Sequence, residues 1–320
     1  MARIQEKVAD CESYLPQLTK RADFEQFWQE TIDKTKATPL NPEMKRVAYP
    51  GTAEVYDIAY NGFDETKICG WLILPTYPKK SRYPCIISYH GFGGSRGTPA
   101  QFMHFIAMGV SVLSVDCREQ GGITGNAARY TGSGLTKNVV SKGLLNKDEY
   151  YYRAVYMDCV KAIDFLQSCE KIDNAAIMVR GTSQGGALGM AVCALDSRPI
   201  CGIVNVPSNS NIEARVEGSN GSFAAVNEYL RAYPENMARA YETLSYFDTM
   251  NMADKITCPI YASVALNDSV CPAKMYYASY NRIKALKEIV VYPFNEHDGA
   301  AHIQIERELL YVEKMLETKP

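Results

Sequence analysis

Gly181-Thr182-Ser183-Gln184-Gly185-Gly186 lies between a short apolar run, 176–179, and a longer one that continues to Leu195. A brief apolar run ending at a glycine turn reads as a buried strand, and the longer one after it as a helix. Gly-x-Ser-x-Gly at a strand-to-helix junction is the pattern of a nucleophile elbow, a sharp turn that lifts a serine hydroxyl to the end of a sheet. The backbone is crowded there, so small residues are needed two before and two after the serine. A plain glycine turn bearing an ordinary serine fits the same five positions, so the rest of the chain must decide.

Outward from the elbow, short apolar runs alternate with helical patterns. Strands are expected at 85–89, 110–115, 201–206, 260–266 and 288–292, and helices at 100–108, 150–169, 185–195, 273–282 and 302–316. Strands flanked by helices imply an α/β fold with a mostly parallel sheet covered on both faces, and a nucleophile elbow at a strand-to-helix turn of such a sheet is the pattern of the α/β-hydrolase fold. Ahead of it, residues 1–50 read as an N-terminal helical arm packed on the core. Phe24, Phe27, Trp28 and Ile32 fall at helical spacing within 22–36. Runs 54–60 and 67–74, joined by the turn Asn61-Gly62-Phe63-Asp64, suggest an antiparallel hairpin at a sheet edge. Residues 51–320 form the catalytic domain. Two segments break the alternation, and both are read as insertions that form a lid or interface. Segment 118–148 carries six glycines, at 121, 122, 125, 132, 134 and 143, and segment 208–252 has helical patterns at 226–232 and 237–244.

Three further signals support the elbow. His90-Gly91-Phe92-Gly93-Gly94 follows a strand, where such a turn supplies one backbone N–H of an oxyanion hole, while the other comes from the residue after the nucleophile, Gln184. Of the four histidines, His90 belongs to that turn, His104 sits in an apolar helix and His302 on the C-terminal helix. His297, in the loop after the last strand, is the favoured general base over His302. Asp268, after the preceding strand, is placed to orient it, although a helix-capping role is open and Glu296 and Asp298 compete. The order Ser183, Asp268, His297 is that of the fold.

Composition excludes other classes. The 320 residues carry 34 Lys plus Arg against 36 Asp plus Glu, a net charge of −2, so no bulk field draws nucleic acid or an anionic membrane. Hydrophobic residues are 47% and charged residues 22%, which suits a folded globular chain. No apolar run approaches the roughly 18 residues of a membrane span and no leader core is seen, so a soluble, cytoplasmic protein is expected. Ten cysteines lack any Cys-x-x-Cys pair, and most lie in apolar segments as reduced, buried thiols. No metal and no cofactor is expected, for neither a Walker loop nor a His-Glu-x-x-His pattern is present.

Together these residues resemble carbohydrate esterase family seven, the acetyl xylan esterases and cephalosporin C deacetylases. The resemblance runs over nearly the whole chain: Phe27-Trp28, His90-Gly91, Arg118 with Gln120 and Gly121, Glu149-Tyr150-Tyr151-Tyr152-Arg153, Gly-x-Ser-Gln-Gly at 181–185, Leu244-Ser245-Tyr246-Phe247-Asp248, Asp268 with Cys271-Pro272, and His297. It implies a serine esterase acting on acetylated xylo-oligosaccharides and similar small esters. Ser183 would be the nucleophile, His297 the base, Asp268 its orienter, and the Phe92 and Gln184 N–H groups the oxyanion hole, with His90, Gly91, Arg118 and Gln120 as structural support. It further implies a metal-independent, intracellular homo-hexamer with 118–148 at the subunit interface. Phe92 stands where the family usually has Tyr, and Glu119 where it has Gly. Other α/β-hydrolase activities, a thioesterase or a prolyl-oligopeptidase-like peptidase, and a non-catalytic carbohydrate-binding relative are the alternatives.

Overall fold

The computed structural model describes residues 2–132 and 137–318. Helices α1 (Ala2–Glu12) and α2 (Phe24–Ala37) precede a sheet whose described strands are β1 (Glu43–Val47), β2 (Ala53–Asn61), β3 (Lys67–Pro75), β4 (Tyr83–Tyr89), β5 (Ser111–Val115), β6 (Ile172–Thr182), β7 (Cys201–Asn205), β8 (Ile260–Ala265) and β9 (Lys287–Tyr292). Their spatial order is β1-β2-β3-β5-β4-β6-β7-β8-β9. The pairs from β5 to β9 are parallel, while β1–β2, β2–β3 and β3–β5 are antiparallel.

Parallel neighbours require crossovers, and helices provide them. After β4 the chain makes a 3₁₀ turn, Pro99–Phe102, and then α3 (Met103–Ala107), where the sequence suggests one continuous helix. Thr98 and Gln101 cap that turn reciprocally around Pro99, which explains the tighter start. α4 (Tyr151–Gln167) and α5 (Gln184–Leu195) flank β6. α6 (Ile212–Glu217), α7 (Ala224–Ala232) and α8 (Met237–Ser245) occupy the 208–252 insertion, and α9 (Ala273–Tyr280) and α10 (Ala301–Glu317) follow β8 and β9.

Side chains alternate across a strand, so consecutive apolar residues must fill opposite layers. Ile87, Leu113, Val179 and Val204 enter the core shared with α2, α4, α5 and α9. Their neighbours Ile86, Val112, Met178 and Ile203 enter a second core with α3 and α10. That is why these strands read as unbroken apolar runs.

The expected hairpin exists, Asn61 pairing with Lys67, but it is not at the edge. β1 pairs outside it, Glu43 opposite Ala59 through Val47 opposite Val55. Glu-Met-Lys-Arg-Val shows no apolar period because its side chains are almost all exposed. Charges on an edge strand also discourage pairing with other chains.

Residues 1–50 thus hold two helices and this strand. α2 buries Trp28 in an aromatic cluster: its indole N–H donates to the Tyr246 carbonyl at 3.0 Å and its ring stacks on Tyr156 at 5.9 Å. In the 118–148 segment, Gly134 lies outside the described residues, and the described regular structure is a 3₁₀ turn at Val139–Ser141. Arg118 anchors the root of the segment. It reaches both oxygens of Asp158 on α4 at 2.7 Å and both oxygens of Asp64 at 3.0 Å. Burial opposes its charge, but the two carboxylates hold it well above the ordinary guanidinium range. Glu119 beside it has φ 56°, the left-handed region in which glycine is free of strain. In the second insertion, buried Asp248 accepts the N–H groups of Asn211, Ile212 and Met250, and burial pushes its carboxyl up to about 6.

Among the described residues, no helix is long and apolar enough to cross a membrane. The cysteines are free thiols, buried except for half-buried Cys69.

Candidate active site

The loops that follow β4, β6, β7, β8 and β9 all leave the same edge of the parallel sheet, its carboxyl end, where open α/β sheets gather their ligands. The elbow joins β6 to α5. Ser183 has φ 60° and ψ −119°, a strained backbone for a serine. Its N–H donates to the Asn205 carbonyl at 2.9 Å, and its carbonyl accepts from Ala187 at 3.1 Å and Ser208 at 3.0 Å. A Cβ on Gly181 would run into the Gly185 backbone, and one on Gly185 into the Tyr89 carbonyl. Small residues on either side of Ser183 are therefore a steric requirement. Val206, also at positive φ, holds the adjoining turn after β7.

The structure brings Ser183, His297 and Asp268 together from three loops. His297 Nε2 lies 3.0 Å from Ser183 Oγ, and His297 Nδ1 lies 2.7 Å from Asp268 Oδ2. A carboxylate only accepts, so Nδ1 carries the proton and Nε2 offers a lone pair to the hydroxyl. The other Asp268 oxygen accepts the N–H groups of Val270 and Cys271, each at 2.8 Å. Asp268 is thus locked by its own turn and does not cap α9, whose cap position is Pro272. Asp298 turns back to Asn295 and to the Glu296 N–H, and the Asn295 hydrogen bond leads in holding its carboxyl below the usual range. His302 is exposed on α10, and His104 buries an unpartnered Nε2.

Phe92 and Gln184 line the same cleft as Ser183 and His297, a space of about 620 Å³. Gln184 opens α5, where the first N–H groups have no intrahelical acceptor and point outward as anion donors. The two turns are tied to each other. Gln120 accepts the Gly93 N–H at 2.8 Å and donates to Gln184 Oε1 at 3.0 Å, and that oxygen also accepts the Tyr152 hydroxyl at 3.0 Å. His90 braces the first turn: its Nδ1–H donates to the Gly91 carbonyl at 2.7 Å and its Nε2 accepts the Cys117 N–H at 2.8 Å. Burial lowers its pKa, so it is held neutral. Arg118 lies away from the cleft wall; its guanidinium binds Asp64, Asp158 and Asn126, and its carbonyl accepts the hydroxyl of Tyr151, which also accepts from Gln120.

Sequence reasoning missed Asn138, Ser208 and Arg215 among the residues of the wall, and gave Cys271 no role beyond the motif it shares with Pro272. Cys271 Sγ is 3.9 Å from Ser183 Oγ, with its thiol pushed up by burial. Asn138 and Arg215 come from the two insertions, whose folding back over the sheet edge no local period announces. Ser208 alone carried a signal, its place just past a predicted strand.

Known proteins agree over the length of the chain. The family described as Acetyl xylan esterase (AXE1) matches residues 1–315. The acetyl esterase Axe7A of Xylanibacter ruminicola is 31% identical over 288 residues, covering 86% of this chain, which in turn spans 63% of that protein's length. A solved acetyl xylan esterase from a Paenibacillus species is 34% identical, with a TM-score of 0.92 over 96% of this chain and 98% of that one. Acetyl xylan esterase 1 from a Thermoanaerobacterium species is 25% identical, with a TM-score of 0.89 over 95% and 98%. An α/β-hydrolase from a Penicillium species, 16% identical, shares the fold at a TM-score of 0.59 over 82% of this chain and 98% of that one.

Proposed function

The chain belongs to the acetyl xylan esterase family, and from that premise we propose that it is a serine carboxylic ester hydrolase that removes acetyl groups from acetylated xylo-oligosaccharides and related small esters, cephalosporin C included. The reading is carried by one observation, the 2.7 and 3.0 Å relay from Asp268 through His297 to Ser183 inside a cleft.

The chemistry follows from that relay. His297 Nε2 takes the Ser183 proton as Oγ bonds to the acetyl carbon, and the carbonyl electron pair moves onto oxygen. The N–H groups of Phe92 and Gln184 receive that oxyanion, a contribution worth roughly 10²–10³ in rate per donor. Collapse breaks the ester C–O bond, and the imidazolium returns its proton to the leaving sugar oxygen. Water, deprotonated by the same nitrogen, then releases acetate from the acetyl-serine. Asp268 accepts the Nδ1–H and so holds the tautomer. Phe92 replaces a phenol by a phenyl ring, and its proposed donor is main-chain, so the hole does not depend on that difference.

Turnover of p-nitrophenyl acetate, butyrate and octanoate, run beside acetylated xylo-oligosaccharides and a peptide amide, tests this. Acetate preference with sugar deacetylation is expected. Amide cleavage or long-chain preference would replace the reading with a peptidase or a longer-chain hydrolase, and inertness toward all of them with a binding role. The ten free thiols support a reducing, cytoplasmic setting. The homo-hexamer implied by the family resemblance belongs to the same proposal, and light scattering should return six times 35.7 kDa.

A further inference from the structure

Arg215, on α6 of the second insertion, is buried to 1% and is the one Asp, Glu, Lys or Arg among the described residues that line the cleft. Its contacts are uncharged. Nη1 donates to Ser208 Oγ, Nη2 donates to the Val270 carbonyl at 2.9 Å and meets Cys271 Sγ at 3.5 Å, and the guanidinium sits 5.0 Å from the Phe223 ring centre. Its Nε is buried without a partner. This differs from Arg118, which two carboxylates neutralise. A buried cation with no anion in contact carries a desolvation cost that its hydrogen bonds and the Phe223 ring must offset without the help of a carboxylate.

Its position indicates when the charge would be useful. Cys271 Sγ touches both the guanidinium and Ser183 Oγ, so cation and hydroxyl are two contacts apart. Ser208, which Arg215 holds by its hydroxyl, donates its N–H to the Ser183 carbonyl, and Val270 belongs to the turn that locks Asp268. Besides the standing carboxylate of Asp268, new negative charge appears at Ser183 when an acyl carbonyl becomes tetrahedral, and a fixed positive charge in a buried wall acts most strongly on that change.

We propose that Arg215 is an electrostatic positioning residue: an unpaired, fixed positive charge that favours the anionic tetrahedral intermediate formed at Ser183 over the neutral bound ester. The inference rests on the serine-esterase reading above. It concerns the ratio of variant to wild type, so an inert wild type would sink that reading and leave this ratio undefined. Arg215→Lys keeps the charge but cannot hold Ser208 and Val270 with a planar fork, whereas Arg215→Gln keeps a donor and loses the charge. For acetate-ester turnover, Arg215→Gln should lower kcat roughly tenfold or more with KM changed less than about threefold. Its affinity for a trifluoromethyl ketone, which forms an anionic tetrahedral adduct with serine, should weaken by the same factor as kcat/KM. Arg215→Lys should stay within about fivefold of wild type in both. Equal losses in the two variants would make Arg215 a structural tie and overturn the proposal, as would a Gln variant with unchanged kcat. If the Gln variant does not fold, Arg215→Lys decides alone, since retention supports the charge and a loss of tenfold or more removes it.

Discussion

At the level of single residues, the site was legible wherever chemistry and spacing coincide. Gly181 and Gly185 announce Ser183 because no Cβ fits beside the elbow, and Asp268 and His297 each sit in the loop that follows a strand. Arg215 was invisible because its meaning lies in lacking a carboxylate, which no sequence reports. On the proposed roles, Ser183→Ala should lower acetate-ester kcat by roughly 10⁶ with an unchanged fold, while His302→Ala, exposed on α10, keeps most activity. If His302→Ala abolishes turnover and His297→Ala does not, the base is misassigned. His90 carries a pH prediction. Burial depresses its pKa in the fold below the unfolded value of about 6.5, so the native state binds fewer protons. The stability this contributes is complete above about pH 6.5 and drains as pH falls through the depressed native value. An imidazolium also cannot accept the Cys117 N–H. The thermal midpoint should therefore fall on acidification from about pH 7 toward pH 5, and less steeply in His90→Gln. A slope that the substitution leaves untouched would place the acid sensitivity elsewhere.

Among secondary-structure elements, buried strands and amphipathic helices were readable from their periods, and departures have physical reasons. β1 hid because an edge strand wears its charges on both faces, and α3 began late because Pro99 tightened its first turn. The 118–148 segment could be recognised as unusual but not placed, since its path is fixed by partners distant in sequence, among them Asp158 and Asp64 for Arg118, Glu228 for Lys137 and the Ser222 carbonyl for Asn138. Arg118 bridges that segment to α4 and to the β2–β3 turn through Asp158 and Asp64. Asp158→Ala strands a buried cation with one remaining carboxylate and should cost about 3–5 kcal/mol in urea unfolding. Replacing Arg118 and Asp158 together by Met and Leu should cost clearly less than the single change, because the buried cation is gone and the carboxylate left without its cation, Asp64, is partly exposed to water. A double variant as unstable as the single one would show that the shape of the cluster, and not its charge balance, holds the segment.

Over the whole molecule, the parallel half of the sheet sets five loops at one edge, and the N-terminal arm clamps the insertion that walls the cleft. Trp28 on α2 meets Tyr246 and Phe247, which follow α8, and Tyr156 on α4. Trp28→Ala should cost about 3–5 kcal/mol, read as a lowered thermal midpoint, and a loss under 1 kcal/mol would mean the arm packs independently of the core. The fold class followed from alternation along the chain, whereas this clamp joins positions 218 apart in sequence and could be seen only in three dimensions. All of it converges on one hydroxyl. The most direct test is to quench the protein during p-nitrophenyl acetate turnover and map acetylated peptides by mass spectrometry. An acetyl group on Ser183, absent from Ser183→Ala, is the predicted result. Steady turnover with that serine never acetylated, or an acetyl group carried through turnover on another side chain, would contradict the account.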